Sequence, residues 1–412
     1  MKFAGIDWAT ETHFAALVDA DGEVLAEWSF PHSFDGLTSF VDRLRKEGGP
    51  DGVVVCLESG APLVVDQLLE AGFTVYAMNP KQADRYRDRY TVAGSKDDRR
   101  DALVLAQAVR VDRALMRPVE RDSELAEEIR IRDRARTRKV QERTRLSNQL
   151  RQTLSRYFPA LLELEREMHD SFFLALVRAC PDPASAKKAR TPKFARLLEA
   201  HRIRAIDAKD LAKRLRAPAL AVPGYVAAAC RDEVLDLVAQ VELLNGQIDA
   251  ADEKLDELTE GHPDHELYRS LPGLGKRLVA RMVAELGDRR DRHPESSSLQ
   301  AFGGTAPVTR RSGKRILSVT MRKGCNRTLQ ASLFTMARCS LATCGWAKAF
   351  YEDRRAKGQR HAAVVRILSN KWAKIMWAVL HHRAPYDDAR HVRHLRKNQV
   401  PWAKALTEEK AA

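Results

Sequence analysis

The sequence predicts an α/β domain at the N-terminal end and a mainly helical remainder. Three observations carry this. Short apolar runs separated by turn residues fill the first 30 positions and then alternate with helix-like segments. From Ser123 onward the pattern turns long, helical in period and poor in Gly and Pro. A third block, from about Tyr268, strings helical runs between glycine-bearing turns. The expected division is 1–112, 113–262 and 263–400, with a tail at 401–412.

Taken in order, "KFAGIDWA", "HFAALVDA" and "VLAEWSF" read as three strands, with "DADGE" as the hairpin signal between the last two. "SFDGLTSFVDRLRKEG" has helical period. "GVVVCLES" reads as a buried strand, "APLVVDQLLEAG" as a helix and "TVYAMNP" as a strand. Three strands followed by alternating helix and strand predict a mixed sheet, closed by a helix from about Lys96 to Val109. The segment from Ser123 to about Leu164 and the stripe-bearing "DEVLDLVAQVELLNGQIDAADEKLDEL" read as two long helices. They could pair as a coiled coil, forming an antiparallel arm or a dimer contact. Pro181 to Pro192 reads as a loop or insertion. "SSSLQAFGGTAPVTRRSGKR" reads as helix and loop, and "SVTMRKGCNRTLQASLFTMARCSL" as a basic turn entering an apolar helix.

The chain has 412 residues, 44% of them hydrophobic, which supports real cores. Its 70 Lys and Arg against 56 Asp and Glu give a formal net charge of +14. Such an excess points to a polyanionic partner, most simply nucleic acid. Six scattered cysteines form no CxxC pair or Cys/His cluster with zinc spacing. No signal peptide or membrane-spanning run is expected, so the reading is a soluble cytoplasmic, nucleoid-associated protein without membrane contact.

The acids supply the first candidate chemistry. Asp7 and Glu58 each end an apolar strand, and Asp98 and Asp101 lie three residues apart at a helix start, on one face. Capping accounts for aspartates at a helix mouth. Four carboxylates in one small α/β domain, however, repel each other unless hard cations sit among them, and Mg2+ takes oxygen ligands. Two such ions could stabilise both oxygens of a phosphodiester displacement. The separations 7, 58, 98 and 101 fit an RNase H-like sheet.

Basic segments supply the rest. "RIRDRARTRKVQERTRLSNQLRQTLSRYFP" holds nine arginines and one lysine against two acids. Arg130, Arg132, Arg134, Arg136, Arg138 and Lys139 are its candidate nucleic-acid contacts, with a solvated charged helix as the alternative. "LPGLGKR" looks like a helix-hairpin-helix turn, in which Gly273 and Gly275 let backbone N–H groups reach a phosphate beside Lys276; an ordinary helix–helix turn is the alternative. In "TAPVTRRSGKR", Ser312 is ringed by Arg310, Arg311, Lys314 and Arg315, and Lys323 extends the basic run. A serine there could attack a phosphate whose developing charge the guanidinium groups stabilise. On the residues alone, a phosphate-binding loop in which the serine only donates a hydrogen bond is the simpler reading.

"GIDWAT", "CLESG" and "SKDDRRDALVLA", followed by "LPGLGKRLVARMVAELGD", "LQAFGGTAPVTRRSGKR" and "RKGCNRTLQASL", resemble the DEDD-type transposases of the insertion-sequence one-ten family, also called bridge recombinases. The resemblance spans nearly the whole chain and rests on the order of these motifs. It implies a RuvC-like N-terminal domain, a C-terminal transposase domain and an acidic quartet at Asp7, Glu58, Asp98 and Asp101. It also implies a serine nucleophile at Ser312 that forms a phosphoserine link to DNA. The quartet and serine would complete a composite site, within or between subunits of a dimer or tetramer. A structured non-coding guide (bridge) RNA would pair with donor and target DNA, and the arginine-rich arm would bind RNA or the DNA backbone. Family members often carry two serines or more glycine in this loop, whereas "RRSGK" offers one serine.

The competing readings are a RuvC-like Holliday-junction nuclease that uses water, and a non-catalytic nucleic-acid-binding protein. Loss of Ser312 would spare the first, and Mg2+-dependent cleavage would exclude the second.

Overall fold

The computed structural model describes residues 1–58, 60–89, 97–218, 222–313, 315–403 and 406. The chain divides into two compact units, Met1–Arg121 and Asp122–Ala412.

The first unit is built on β1 (Lys2–Asp7), β2 (Thr12–Val18) and β3 (Val24–Pro31), then α1 (Phe34–Glu47), the helical turn α2 (Gly49–Gly52), β4 (Val53–Glu58), α3 (Pro62–Glu70), β5 (Thr74–Met78), α4 (Pro80–Arg87) and α5 (Asp98–Asp112). The strands form one mixed sheet in the order β3-β2-β1-β4-β5. β1, β2 and β3 pair antiparallel, and β4 and β5 run parallel to β1. The period of two along β1 sets the two cores. Ala4 and Ile6 join Phe40, Leu44, Val64 and Leu68 on one face, whereas Phe3 joins Leu105, Ala106 and Val109 of α5 on the other. Gly5 lets α5 lie directly on β1: a Cβ there would stand 1.9 Å from the Ala102 carbonyl oxygen and 2.4 Å from the Ala106 nitrogen. The expected mixed sheet is present, and its closing helix starts at Asp98.

The second unit is helical apart from one hairpin. Its elements are α6 (Glu124–Tyr157), α7 (Ser171–Ala179), α8 (Pro183–Lys188), α9 (Thr191–Ala200), α10 (Ala208–Leu215), α11 (Gly224–Glu260), α12 (His265–Arg269), α13 (Lys276–Leu286), α14 (Ser296–Phe302), β6 (Pro307–Ser312), β7 (Arg315–Met321), α15 (Arg327–Thr343), α16 (Gly345–Ala356), α17 (His361–His382) and α18 (Asp388–Lys397). Helices α6 and α11 pair antiparallel within the chain, as the contacts Arg136–Asp252, Arg143–Asn245 and Gln149–Glu233 show. At one end of the pair, Leu146 to Tyr157 and Cys230 to Val241 pack with Phe172, Phe173, Phe194 and Leu211 of the short helices. The stretch expected as a loop at 181–192 therefore contains α8, held by a capping box between Asp182 and Ser185. At the other end, Ile129 and Leu255 join a core built on α13, α15, α16 and α17, with Trp346 and Trp372 fully buried.

The hairpin corrects the expectation of loop and turn over 307–321. Its strands pair antiparallel from Pro307↔Met321 to Ser312↔Arg315, with a bulge at Arg310/Arg311. "RILSVTM" is β-branched and apolar enough to form a strand, but it stands among basic residues that obscure the alternation. Cys56, Cys180, Cys230 and Cys344 are buried free thiols. Among the described residues, no helix is long and apolar enough to cross a membrane.

Candidate active site

Asp7 is the last residue of β1 and Glu58 the last of β4. The two strands are parallel neighbours in the register Gly5↔Cys56 and Ile6↔Leu57, so the next step along each sets Asp7 beside Glu58 at the C-terminal end of the central strands. The close approach at Gly5 brings the start of α5 to the same strand, just beyond Asp101. The capping work at this helix falls to Asp97, whose Oδ1 accepts from the Arg99 N–H at 3.1 Å. Asp98 and Asp101 follow in the first turn. Asp98 is exposed, whereas Asp101 is 4% exposed.

Arg87, at the end of α4, donates from Nε to Asp101 Oδ1 at 2.6 Å and from Nη1 to Asp84 at 2.7 Å. Asp101 Oδ2 is buried without a hydrogen-bond partner among the described residues. That orphaned oxygen and the all-carboxylate donor set suit a hard cation such as Mg2+. Among the described residues, no three Asp, Glu, His or Cys side chains come together as one metal group. The acids thus share one end of the sheet without closing a ligand shell, and Arg87 occupies the charge position beside Asp101.

Two neighbours of Asp7 escaped the sequence reading. Trp8 lies against Gly60, where a Cβ would stand 2.9 Å from the indole Cζ2; Gly60 holds φ +131°. His13 of β2 is 1% exposed. Its Nδ1 accepts from the Ala9 N–H at 3.2 Å and its Nε2 lies 2.9 Å from His32 Nδ1, so the imidazole pins the turn that follows Asp7. Burial, then the neighbouring His32, holds its pKa below the ordinary value. An isolated histidine on a strand carries no spacing signal, so only the fold could reveal this role.

In the second unit, Ser312 is exposed at the last position of β6, paired with Arg315 across a two-residue connection. Gly313 holds the left-handed φ of +57° that such a tight turn needs. Lys314 lies outside the described residues. Arg310, Arg311 and Arg315 are exposed on the hairpin, and Lys323 is exposed just beyond it. The serine therefore stands at the tip of a basic hairpin that carries no acid.

The structure separates the expected nucleic-acid contacts into inward and outward groups. Arg130 donates to the Ala284 carbonyl at 2.8 Å and pairs with buried Asp122 and with Glu127. Arg136 pairs with Asp252 at 2.7 Å. Both are internal anchors here. Arg132 is exposed beside Glu128 at 2.6 Å, and Arg134 is exposed with Glu285 at 3.7 Å. Arg138 is exposed and Lys139 half-buried. In the turn before α13, Gly273 serves packing: with φ +83°, a Cβ would stand 2.6 Å from the Met336 carbonyl oxygen of α15. Gly275 precedes α13 in open space, and Lys276 faces Glu260 at 3.3 Å.

Comparison with known proteins adds the following. A family model described as a transposase of the DEDD type of IS110 matches residues 4–159, and one described as "Transposase IS116/IS110/IS902 family" matches 265–352. The "Mini-circle putative transposase for IS117" of Streptomyces coelicolor is 32% identical over 407 residues, covering 94% of this chain and 96% of that protein. The "Putative transposase y4uE" of Sinorhizobium fredii is 42% identical over 222 residues, covering 53% of this chain and 62% of that protein. The structure of T. thermophilus RuvC in complex with Holliday junction substrate aligns with 29% of this chain and 99% of its own at 16% identity, with a TM-score of 0.24.

Proposed function

The chain belongs to the IS110 family of DEDD transposases, and from that premise we propose that it cuts and rejoins DNA by covalent catalysis at Ser312, with Asp7, Glu58, Asp98 and Asp101 as the acidic partners of the reaction. The observation that carries the reading is the occurrence of two features along one family-matched chain: Asp7 and Glu58 side by side at the C-terminal end of two central strands, and an exposed serine at the tip of a basic hairpin. The strand order and the acids that end its central strands support an RNase H/RuvC-like catalytic domain.

In this mechanism Ser312 Oγ attacks a backbone phosphorus. The Oγ–P bond forms as a P–O bond to deoxyribose breaks; the serine proton passes to a base and the sugar oxygen gains one. The bond energy is kept in the phosphoserine, so a sugar hydroxyl can reverse the step on a different strand. Arg310, Arg311 and Arg315 stabilise charge on the phosphate oxygens. Divalent metal bound by the four carboxylates would supply Lewis-acid stabilisation of the same phosphodiester chemistry. A structured RNA that pairs with donor and target DNA completes the reading, and the protein would act as a dimer or tetramer.

The test is a denaturing gel of protein, guide RNA and end-labelled DNA. Wild type is expected to give a protease-sensitive labelled band and Ser312→Ala none, with DNA binding retained. Equal cleavage by Ser312→Ala, with no such band in wild type, would replace this reading with a water-using nuclease.

A further inference from the structure

The base of the β6–β7 hairpin borders a cavity of about 370 Å3. Its walls include Pro307 of β6, Val319 and Met321 of β7, Phe334 of α15 and Ile367 of α17. Val319 is 60% exposed, Met321 41% and Ile367 39%, an apolar rim left open to water. Two polar groups of α17 also line it. Asn370 Oδ1 accepts from the Thr305 hydroxyl at 3.0 Å, which fixes the amide and leaves its NH2 group without a partner among the described residues. Arg366 donates from Nε to the Ala362 carbonyl at 3.2 Å, and its terminal nitrogens, at the exposed edge, have no hydrogen-bond partner among the described residues. Among the described residues, no carboxylate lines this cavity.

An apolar slot with one aromatic wall, one oriented amide donor and a guanidinium at its mouth has the chemistry of a nucleotide site. The ring stacks, the amide reads an acceptor on the base edge, and the arginine meets the phosphate. The hairpin joins this cavity directly to Ser312. Five strand steps from Pro307 to Ser312 span about 17 Å, which is about five base steps of duplex DNA at roughly 3.4 Å each.

We propose that this cavity receives one unstacked nucleobase of the DNA strand that runs along the hairpin to Ser312. The proposal rests on the transposase reading and adds to it a pocket that holds a base at a fixed offset from the cut phosphate. Enzymes that do chemistry on a base show that a protein pocket can hold one nucleotide out of the stack; here the held base would set the register of the strand on the serine.

The experiment uses the full chain with single-stranded DNA oligonucleotides carrying one 4-thiothymidine at successive positions, and matching RNA oligonucleotides carrying 4-thiouridine. After irradiation, cross-linked peptides are mapped by mass spectrometry. The expected result is a DNA cross-link to the peptide holding Val319–Met321 or Phe334. Ala363→Trp, which fills the cavity from α17, and Ile367→Asp, which sets a negative charge at its exposed rim against the DNA phosphates, should each reduce that cross-link by about tenfold, the order of one lost base–aromatic stack. Melting curves show that each variant is folded; the rim variant stands if the cavity variant does not. Cross-links from DNA that map elsewhere, or that persist in both variants, overturn the pocket but leave the transposase reading in place. A cross-link there from RNA alone overturns the DNA assignment. Absence of DNA cross-links anywhere on the protein overturns the pocket and the proposed serine mechanism together.

Discussion

A carboxylate as deeply placed as Asp101 needs compensation at both oxygens, since a buried charge without partners is costly. Arg87 compensates one oxygen, and the other has no hydrogen-bond partner among the described residues. The guanidinium therefore stands where a divalent cation would draw on the same carboxylate, and the two compete. Arg87→Gln should lower the stability of the metal-free protein by about 3 kcal/mol, the cost of stripping a buried acid of its partner. It should also tighten Mn2+ binding several-fold in calorimetric titration. Weaker Mn2+ binding in the variant would show that Arg87 supports the site instead of competing for it. His13 acts by a different route: it holds the Ala9 N–H, and so the backbone that leaves Asp7.

At the level of elements, much of the N-terminal sheet was legible because its strands are short, apolar and bounded by turn residues, and because Asp97 caps its own helix; the seating of α5 on Gly5 was not, since it joins residues about a hundred positions apart. The acids at strand ends could be located for the same reason. Arg87, Trp8 and His13 could not, since each reaches the site through tertiary contacts that no spacing records. The arginines of α6 show a different limit. They recur every second residue, yet a two-residue step on a helix turns the side chain by about 200°, so a run that looks continuous in sequence is split among several faces. Arg130 and Arg136 consequently meet acids inside the fold, while Arg132 and Arg138 face water. Helix α18 carries a pH dependence. Its His391 packs on Trp346 with ring centres 4.7 Å apart. Burial pushes its pKa down from 6.5 to about 4; Asp388 pulls it up, and His394 and Lys371 push it down further. The unfolded chain therefore takes up this proton first as the pH falls. The stabilising contribution is whole above about pH 6.5 and is lost progressively towards pH 4, by about 3 kcal/mol for this one group. Urea midpoints at pH 7 and pH 4.5 should differ less in His391→Phe than in wild type. An equal loss in both would assign the acid sensitivity to other groups; the depressed His13 and His262 act in the same direction.

For the molecule as a whole, the charge of +14 speaks to association with nucleic acid and not to fold. What matters is which cations are available to phosphates. Each phosphate contact releases counterions, so the slope of log affinity against log salt counts contacts at about 0.9 per phosphate on duplex DNA. Cations already paired with buried acids cannot contribute to that count without breaking the fold. The exposed residues Arg310, Arg311 and Arg315 of the hairpin can, and so can Arg132 and Arg138 of α6. Replacing the three hairpin arginines together by Gln should lower the slope by about 2 to 3 and weaken binding at every DNA sequence, with melting unchanged. Arg130→Gln should do the reverse. Its guanidinium is held by Asp122, Glu127 and the Ala284 carbonyl, so the variant should melt earlier with an unchanged slope. Fluorescence anisotropy of a labelled duplex across a salt series measures both. If Arg130→Gln flattens the slope as much as the hairpin variant does, the inward pairing gives way when DNA binds, and α6 joins the contact surface; if neither changes the slope, the phosphate contacts lie on other cations of the chain.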